Sequence, residues 1–226
     1  MPLILNISTA LETACVSIAR DGALLQELTN REPKDHSSFL QVAIKQLLSS
    51  LQIDIQQIDA VTVIEGPGSY TGLRVGMAAA KGLCYAINKP LITINSLEAL
   101  TASALNELQT DIPELLLCPM IDARRMEVYT AIYGSNLQII LNPSALILNP
   151  LSFEDFFNRH PILFFGSGAE KWGRLCANPK AVGFHKIEIQ SKILSNLSFK
   201  KYLAKEFADI AYSEPLYIKE FFSPNA

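Results

Sequence analysis

Nothing in this chain has the spacing of a metal site. The three histidines, His36, His160 and His185, stand at no ligand distance in sequence from one another or from any of the four cysteines. Cys15, Cys84, Cys118 and Cys176 lie far apart and form no CxxC pair, so they read as free thiols of a reducing compartment. Charged residues are scarce at 18%, and the net charge of −3 gives no excess of positive charge for a broad grip on nucleic acid. No apolar run approaches the ~20 residues that span a bilayer. The first residues, Met1 to Asn6, carry neither a basic stretch nor an apolar core of signal length. A membrane partner is not expected, and the cytoplasm is the expected location. What is abundant is apolar side chain, 49% of 226 residues, enough for one large domain or two small ones.

Strand and helix signals alternate along the chain. Leu3–Ile7, Ala14–Ala19 and Ala23–Leu28 read as strands, with Asp21-Gly22 as a tight turn. A helix over 35–52, capped at Asp35 or Ser37, repeats apolar residues at three- and four-residue steps: Leu40, Ala43, Ile44, Leu47, Leu48 and Leu51, widened by Phe39 and Val42. Ala60–Ile64 is a strand, followed by a glycine-rich turn and a helix to about Ile87. Leu91–Asn95 is another strand, and Ser96 opens a helix. The order then begins again: strands at Leu115–Ile121, Met126–Tyr133 and Leu137–Leu141, and at Ile162–Phe165 running into Gly166-Ser167-Gly168 and a helix. The chain reads as two copies of one β-rich α/β module, residues 1–108 and 109–226. A helix over 198–211 is expected to pack back on the first module, with Leu216-Tyr217-Ile218 extended beyond it.

The turn between the fourth strand and its helix is Gly66-Pro67-Gly68-Ser69-Tyr70-Thr71-Gly72-Leu73-Arg74-Val75-Gly76. A strand, a glycine turn and a helix start make a place where backbone N–H groups can face an anion. It is not a P-loop, since the Lys-Ser/Thr pair is missing. It is not a dinucleotide fingerprint either, because its glycines are spaced one residue too widely. GxSxG is absent, so Ser69 is a poor nucleophile; Ser69 or Thr71 is a helix cap. Gly66, Gly68, Ser69, Thr71 and Asp122 are read together as a vestigial phosphate or nucleotide loop. Asp122, followed by Ala123-Arg124-Arg125, ends a strand and suits a metal-bound water, a ribose, or a plain turn with a local ion pair. Its counterpart in the first copy is Ser8, which carries no charge and is a weak magnesium ligand.

Gly72, Gly76, Ala80 and Cys84 fall four apart on one helix face. Glycine inside a helix costs ~1 kcal/mol relative to alanine, so Gly76 and Gly82 need a reason. Two readings stand open: close packing within the subunit, or close approach of a partner. The candidate partner surface is Phe39, Ala43, Leu47, Gly72, Gly76 and Ala80.

The glycine run, Ile121-Asp122-Ala123-Arg124-Arg125 with Glu127-Val128-Tyr129, and Glu214-Pro215-Leu216-Tyr217 resemble the bacterial TsaB (YeaZ) family. The resemblance covers most of the chain and is densest over 3–135. It implies the actin/Hsp70/sugar-kinase (ASKHA) fold, an α/β architecture of two ribonuclease-H-like modules. It implies a non-catalytic scaffold that binds a TsaD-like catalytic subunit and works with a TsaE-like ATPase. Together they place threonylcarbamoyl on an adenosine beside the tRNA anticodon. Contact with tRNA is then indirect, and the isolated chain is expected to pair with itself. TsaD-like chains carry two metal-binding histidines four apart after the strand that follows the glycine helix. Ser96 and Leu100 stand there in this sequence, so the resemblance implies no catalytic residue, no metal and no cofactor. The first strand ends in Ser8-Thr9-Ala10, where the family commonly has Asp-Thr-Ser. The rival is an M22-like metallopeptidase or an ATP-hydrolysing enzyme of the same fold.

Overall fold

Leu3–Ser8 (β1) is buried at every position, as a strand covered on both faces must be. It pairs antiparallel with β2 (Ala14–Arg20), which pairs antiparallel with β3 (Ala23–Asn30). Asp21 and Gly22 make the β2–β3 turn, both at positive φ. On its other side β1 pairs parallel with β4 (Ala60–Gly66), and β4 with β5 (Leu91–Asn95). The order is β3-β2-β1-β4-β5. These coordinates, a computed structural model, describe residues 1–32, 36–108 and 112–219.

Alternation along the strands divides the sheet's two faces. Leu5, Ile7, Val16, Ile18, Val61 and Val63 form a core with Leu40, Ala43 and Leu47 of α1 (His36–Leu51) and Met77, Ala80 and Cys84 of α2 (Tyr70–Ile87). The expected caps of α1, Asp35 and Ser37, lie outside the residues whose side chains are described. α3 (Ser96–Leu108) follows β5 directly.

The second sheet repeats the first. β6 (Leu116–Asp122) pairs antiparallel with β7 (Glu127–Tyr133), β7 antiparallel with β8 (Ile139–Ile147), β6 parallel with β9 (Ile162–Phe165), and β9 parallel with β10 (Ala181–His185). The order β8-β7-β6-β9-β10 is the order of the first sheet. Its helices are short: α4 (Glu154–Phe157) and α5 (Ala169–Gly173). Its core is aromatic. Phe164 lies edge-on to Phe153 and Trp172 and stacks on Phe184 at 5.6 Å.

Two compact units result. One is Met1–Ala99 with Ile189–Pro215; the other is Leu100–Glu188 with the residues from Leu216 on. This division crosses α3, whereas the sequence suggests a boundary after 108. The last helix, α6 (Ser191–Ala204), lies on β1, β2, β3 and β5.

Three expectations need correction. The helix expected over 198–211 starts earlier and leaves helical geometry at Lys205, with φ 55°. Its buried positions are Ser191, Leu194, Ser195, Leu197 and Ser198, a largely polar stripe that apolar periodicity cannot reveal. The Leu216–Ile218 segment forms no strand and belongs with the second unit. β8 is longer than its expected 137–141 and carries Pro143 within the pairing irregularity between Thr130 and Ile132. Its position at the sheet edge permits that proline.

Candidate functional site

The glycine turn is held by the chain itself. Ser69 is the N-cap of α2, its Oγ accepting from the Gly72 N–H at 3.3 Å. The Ser69 N–H donates to the Ala10 carbonyl at 2.7 Å, and Thr9 Oγ1 donates to the Gly72 carbonyl at 2.7 Å. A β-carbon on Gly68 would overlap the Ala10 carbonyl oxygen, one on Gly72 the Thr9 carbonyl oxygen, and one on Gly76 the Thr9 hydroxyl. These glycines therefore admit the β1–β2 connection against the start of α2. Thr9 is fully buried and carries no motif that would have singled it out.

Asp122 ends β6 as Ser8 ends β1, each paired with the first or second residue of the following strand. Its carboxylate is committed locally. Oδ1 accepts from the Arg124 N–H at 2.6 Å and pairs with Lys171 Nζ at 2.9 Å. Lys171 is 15% exposed and also donates to the Arg125 and Glu127 carbonyls. Of the alternatives open in sequence, the geometry is that of a turn with a local ion pair. Gly168 brings the second glycine turn against Val128 and Met120. Thus the loop residues and Asp122 lie in different compact units, each with its own partners.

The stretch where metal-binding histidines are absent is closed. Ser96 and Leu100 are buried, and Asn95 Oδ1 accepts from the Leu97 N–H at 2.8 Å. Burial pushes the Glu98 carboxyl up, opposed by Lys201 and reinforced by Glu65 and Glu206. Among the described residues, no three His, Cys, Asp or Glu side chains converge as a metal site. Burial also raises the thiols: Cys15 and Cys118 to about 12, and Cys84 to about 11. They are protonated at neutral pH and unsuited to nucleophilic work.

The partner surface read from sequence is corrected by packing. Ala43, Leu47, Gly72, Gly76 and Ala80 all face the core of the first unit. The four-residue stripe meets Thr9, Ile7 and Val63, so its small size serves the subunit itself. Phe39 alone of that set is half-exposed, in a shallow groove with Leu28, Asn30 and Val42. The outward side of the two helices carries different residues. On α1, Val42 is 65% exposed. On α2, Arg74, Ala78, Gly82 and Tyr85 follow one another on the exposed side, with Tyr85 at 84%. Arg74 lies over the Tyr70 ring at 4.0 Å. A β-carbon on Gly82 would meet nothing within 4 Å. The two helix glycines thus differ completely: Gly76 is required by packing, and Gly82 is not.

The family model for TsaD, tRNA N6-adenosine threonylcarbamoyltransferase, matches residues 26–149, just over half of the chain. The Bacillus subtilis tRNA threonylcarbamoyladenosine biosynthesis protein TsaB is 30% identical over 167 residues, covering 72% of this chain and 70% of that protein. A tRNA N6-adenosine threonylcarbamoyltransferase of Clostridium kluyveri is 40% identical over 77 residues, 34% of this chain and 22% of that enzyme. Among solved structures, a Pseudomonas aeruginosa protein described as similar to peptidase YEAZ superposes with a TM-score of 0.83 at 20% identity, over 97% of this chain and all of that one. That likeness, with the doubled sheet order, gives the ASKHA fold. No helix among the described residues is long and apolar enough to cross a membrane.

Proposed function

The chain belongs to the TsaB family of tRNA threonylcarbamoyladenosine biosynthesis proteins, and from that premise we propose that it is a non-catalytic subunit that docks and supports a TsaD-like catalytic partner. In this reading a TsaE-like ATPase joins the same complex, tRNA is met through the complex, and the work is done in the cytoplasm. Alone, the chain pairs with itself through the same face, because an exposed apolar helix face favours association.

The observation that carries the docking surface is Gly82. It sits in the middle of an 18-residue helix, exposed, with open space where a side chain would be. Its ~1 kcal/mol cost to the helix has no return inside the subunit. Close approach of a partner helix to the Ala78–Gly82 surface supplies one. Arg74 and Tyr85 lie on the same exposed side of α2, and Val42 of α1 is exposed as well; tyrosine and arginine are the side chains that anchor interfaces.

Three features of the chain support catalytic silence. Ser96 and Leu100 replace the expected imidazoles. Asp122 is bound to Lys171, and Thr9 and Ala10 occupy the glycine turn. The metallopeptidase or ATP-hydrolysing alternative has no carboxylate free of a cation from which to build a metal centre at Asp122.

Gly82→Leu is the test. It should abolish copurification with the TsaD-like subunit while circular dichroism stays that of the parent and the thermal midpoint does not fall. A folded Gly82→Leu chain that still copurifies in full refutes the docking surface. Stoichiometric metal with ATP or peptide turnover by the isolated chain refutes catalytic silence.

A further inference from the structure

The segment 191–213 is attached to the first sheet in an unusual manner. α6 lies on the face opposite the α1–α2 core, where it buries Leu194 and Leu197 and hydrogen-bonds β1 through Asn6. Asn6, 1% exposed in the centre of β1, contributes both ends of its amide. Its Nδ2 donates to Ser17 Oγ at 3.4 Å and to Ser195 Oγ at 3.3 Å; its Oδ1 accepts from Ser198 Oγ at 2.7 Å. Ser191 Oγ meets Cys15 Sγ at 2.9 Å one turn earlier. The main apolar cluster of this unit includes no residue of α6.

The chain then turns around the sheet's edge. Lys201 Nζ donates to the Thr93 carbonyl of β5 at 3.0 Å, and the Ala208 N–H to the Leu91 carbonyl at 2.8 Å. Ala208 and Ile210 reach the opposite face and pack against the α1–α2 core. Asp209 folds the next residues into a turn by accepting from the Ala211 and Tyr212 N–H groups. Lys81 of α2 closes the loop, donating to the Ala211 carbonyl at 3.1 Å and the Ser213 carbonyl at 2.8 Å.

We infer that residues 191–213 are a releasable strap: a cooperative unit that opens separately from the rest of the first module, keyed by Asn6 at one end and by Lys81 at the other. Intramolecular hydrogen bonds contribute little net stability while an unmade one is costly, so polar keys select one register without holding it tightly. The strap stands outside the main apolar cluster of this unit, which it meets only through the partly buried Ala208 and Ile210, and segments outside the main core open at free energies below that of global unfolding. Because Lys81 precedes Gly82, release of the strap alters the helix surface assigned to docking. That consequence rests on the proposed function; the strap itself does not.

Hydrogen exchange of the full chain, read by mass spectrometry on peptides, tests it without any partner. Amides of 191–204 and of Ala208 should exchange at least tenfold faster than those of β1 and β4. Lys81→Met should accelerate 208–213 by about tenfold and leave β1 and β4 unchanged. Ser198→Ala should do the same for α6, and it avoids the risk that an Asn6 variant fails to fold. The inference is overturned if α6 and β1 amides exchange at one common rate. It is overturned equally if Lys81→Met leaves 208–213 unaltered or speeds the core to the same extent. Failure of the docking experiment leaves these rates untouched, so the two ideas fall separately.

Discussion

The two modules share a strand order and differ in what covers it. In the first, helices of 16 and 18 residues pack on one face and a 14-residue helix on the other. In the second, the helices α4 and α5 have four and five residues, and bulky rings take over the work of burial. Both keep a glycine turn after the fourth strand, and both use it for the same purpose. Gly68 and Gly72 admit Ala10 and Thr9; Gly166 and Gly168 admit Met120 and Val128. Gly68, Gly72 and Gly166 each let a neighbouring backbone carbonyl come closer than a β-carbon would allow. What separates the modules is the length of helix that follows the turn. Only the first module extends that helix far enough to have an outward side with a surface of its own.

Each unit contains two cysteines, which makes the comparison measurable: Cys15 and Cys84 in the first, Cys118 and Cys176 in the second. Burial raises all four thiols, and Cys15, Cys84 and Cys118 are buried, so labelling of these three reports opening of the unit that holds them. The largest effect is expected from Trp172→Ala. Trp172 is fully buried between Phe153 and Phe164. Its loss should cost about 3–5 kcal/mol. Cys118 should then become reactive in urea well before Cys84. Simultaneous labelling of both would show that the two units do not unfold independently.

Gly76→Leu should reverse the order. A β-carbon there overlaps the Thr9 hydroxyl and lies 3.4 Å from Val63, and the added bulk has no flexible neighbour to displace. Overpacking of this kind costs about 1–3 kcal/mol. Cys84 should react first and Cys118 stay protected. A Gly76→Leu chain with parental protection of Cys84 would remove the packing explanation for the small-residue stripe.

The strands and long helices were legible in sequence because their signals are local. β1, β4 and β5 are continuous apolar runs between turn residues, and α1 repeats its apolar residues with the helical period. The duplication was legible for the same reason. The purpose of the glycines was not. Gly76 and Gly82 are alike in sequence, six residues apart in one helix; only the long-range approach of Thr9 distinguishes them. The small-residue stripe is visible in the sequence with both of its meanings open, but of the candidate partner residues Ala43, Leu47, Gly72, Gly76 and Ala80 are buried by the fold. Three serines share the buried side of α6 with Leu194 and Leu197, so the apolar period runs instead through Phe199, Tyr202, Leu203 and Phe207, past the helix end. Asp122 was legible as a strand end, but Lys171, 49 residues away, decides what it can do.

The smallest effect separates the two glycines most directly. Gly82→Ala places a methyl group in open space at a helical position. It lowers the entropy of the unfolded chain and improves helix propensity, so the isolated chain should gain about 0.5–1 kcal/mol. Urea denaturation followed by Cys84 labelling measures that gain. The same substitution at Gly76 should lower stability, because the methyl meets Thr9. The contrast has a consequence for docking. If Gly82 is retained so that a partner helix can approach, Gly82→Ala stabilises the free chain and weakens copurification together. A gain in stability with copurification intact would leave the exposed glycine without a role. A loss of stability would mean that the open space beside α2 is closed in solution.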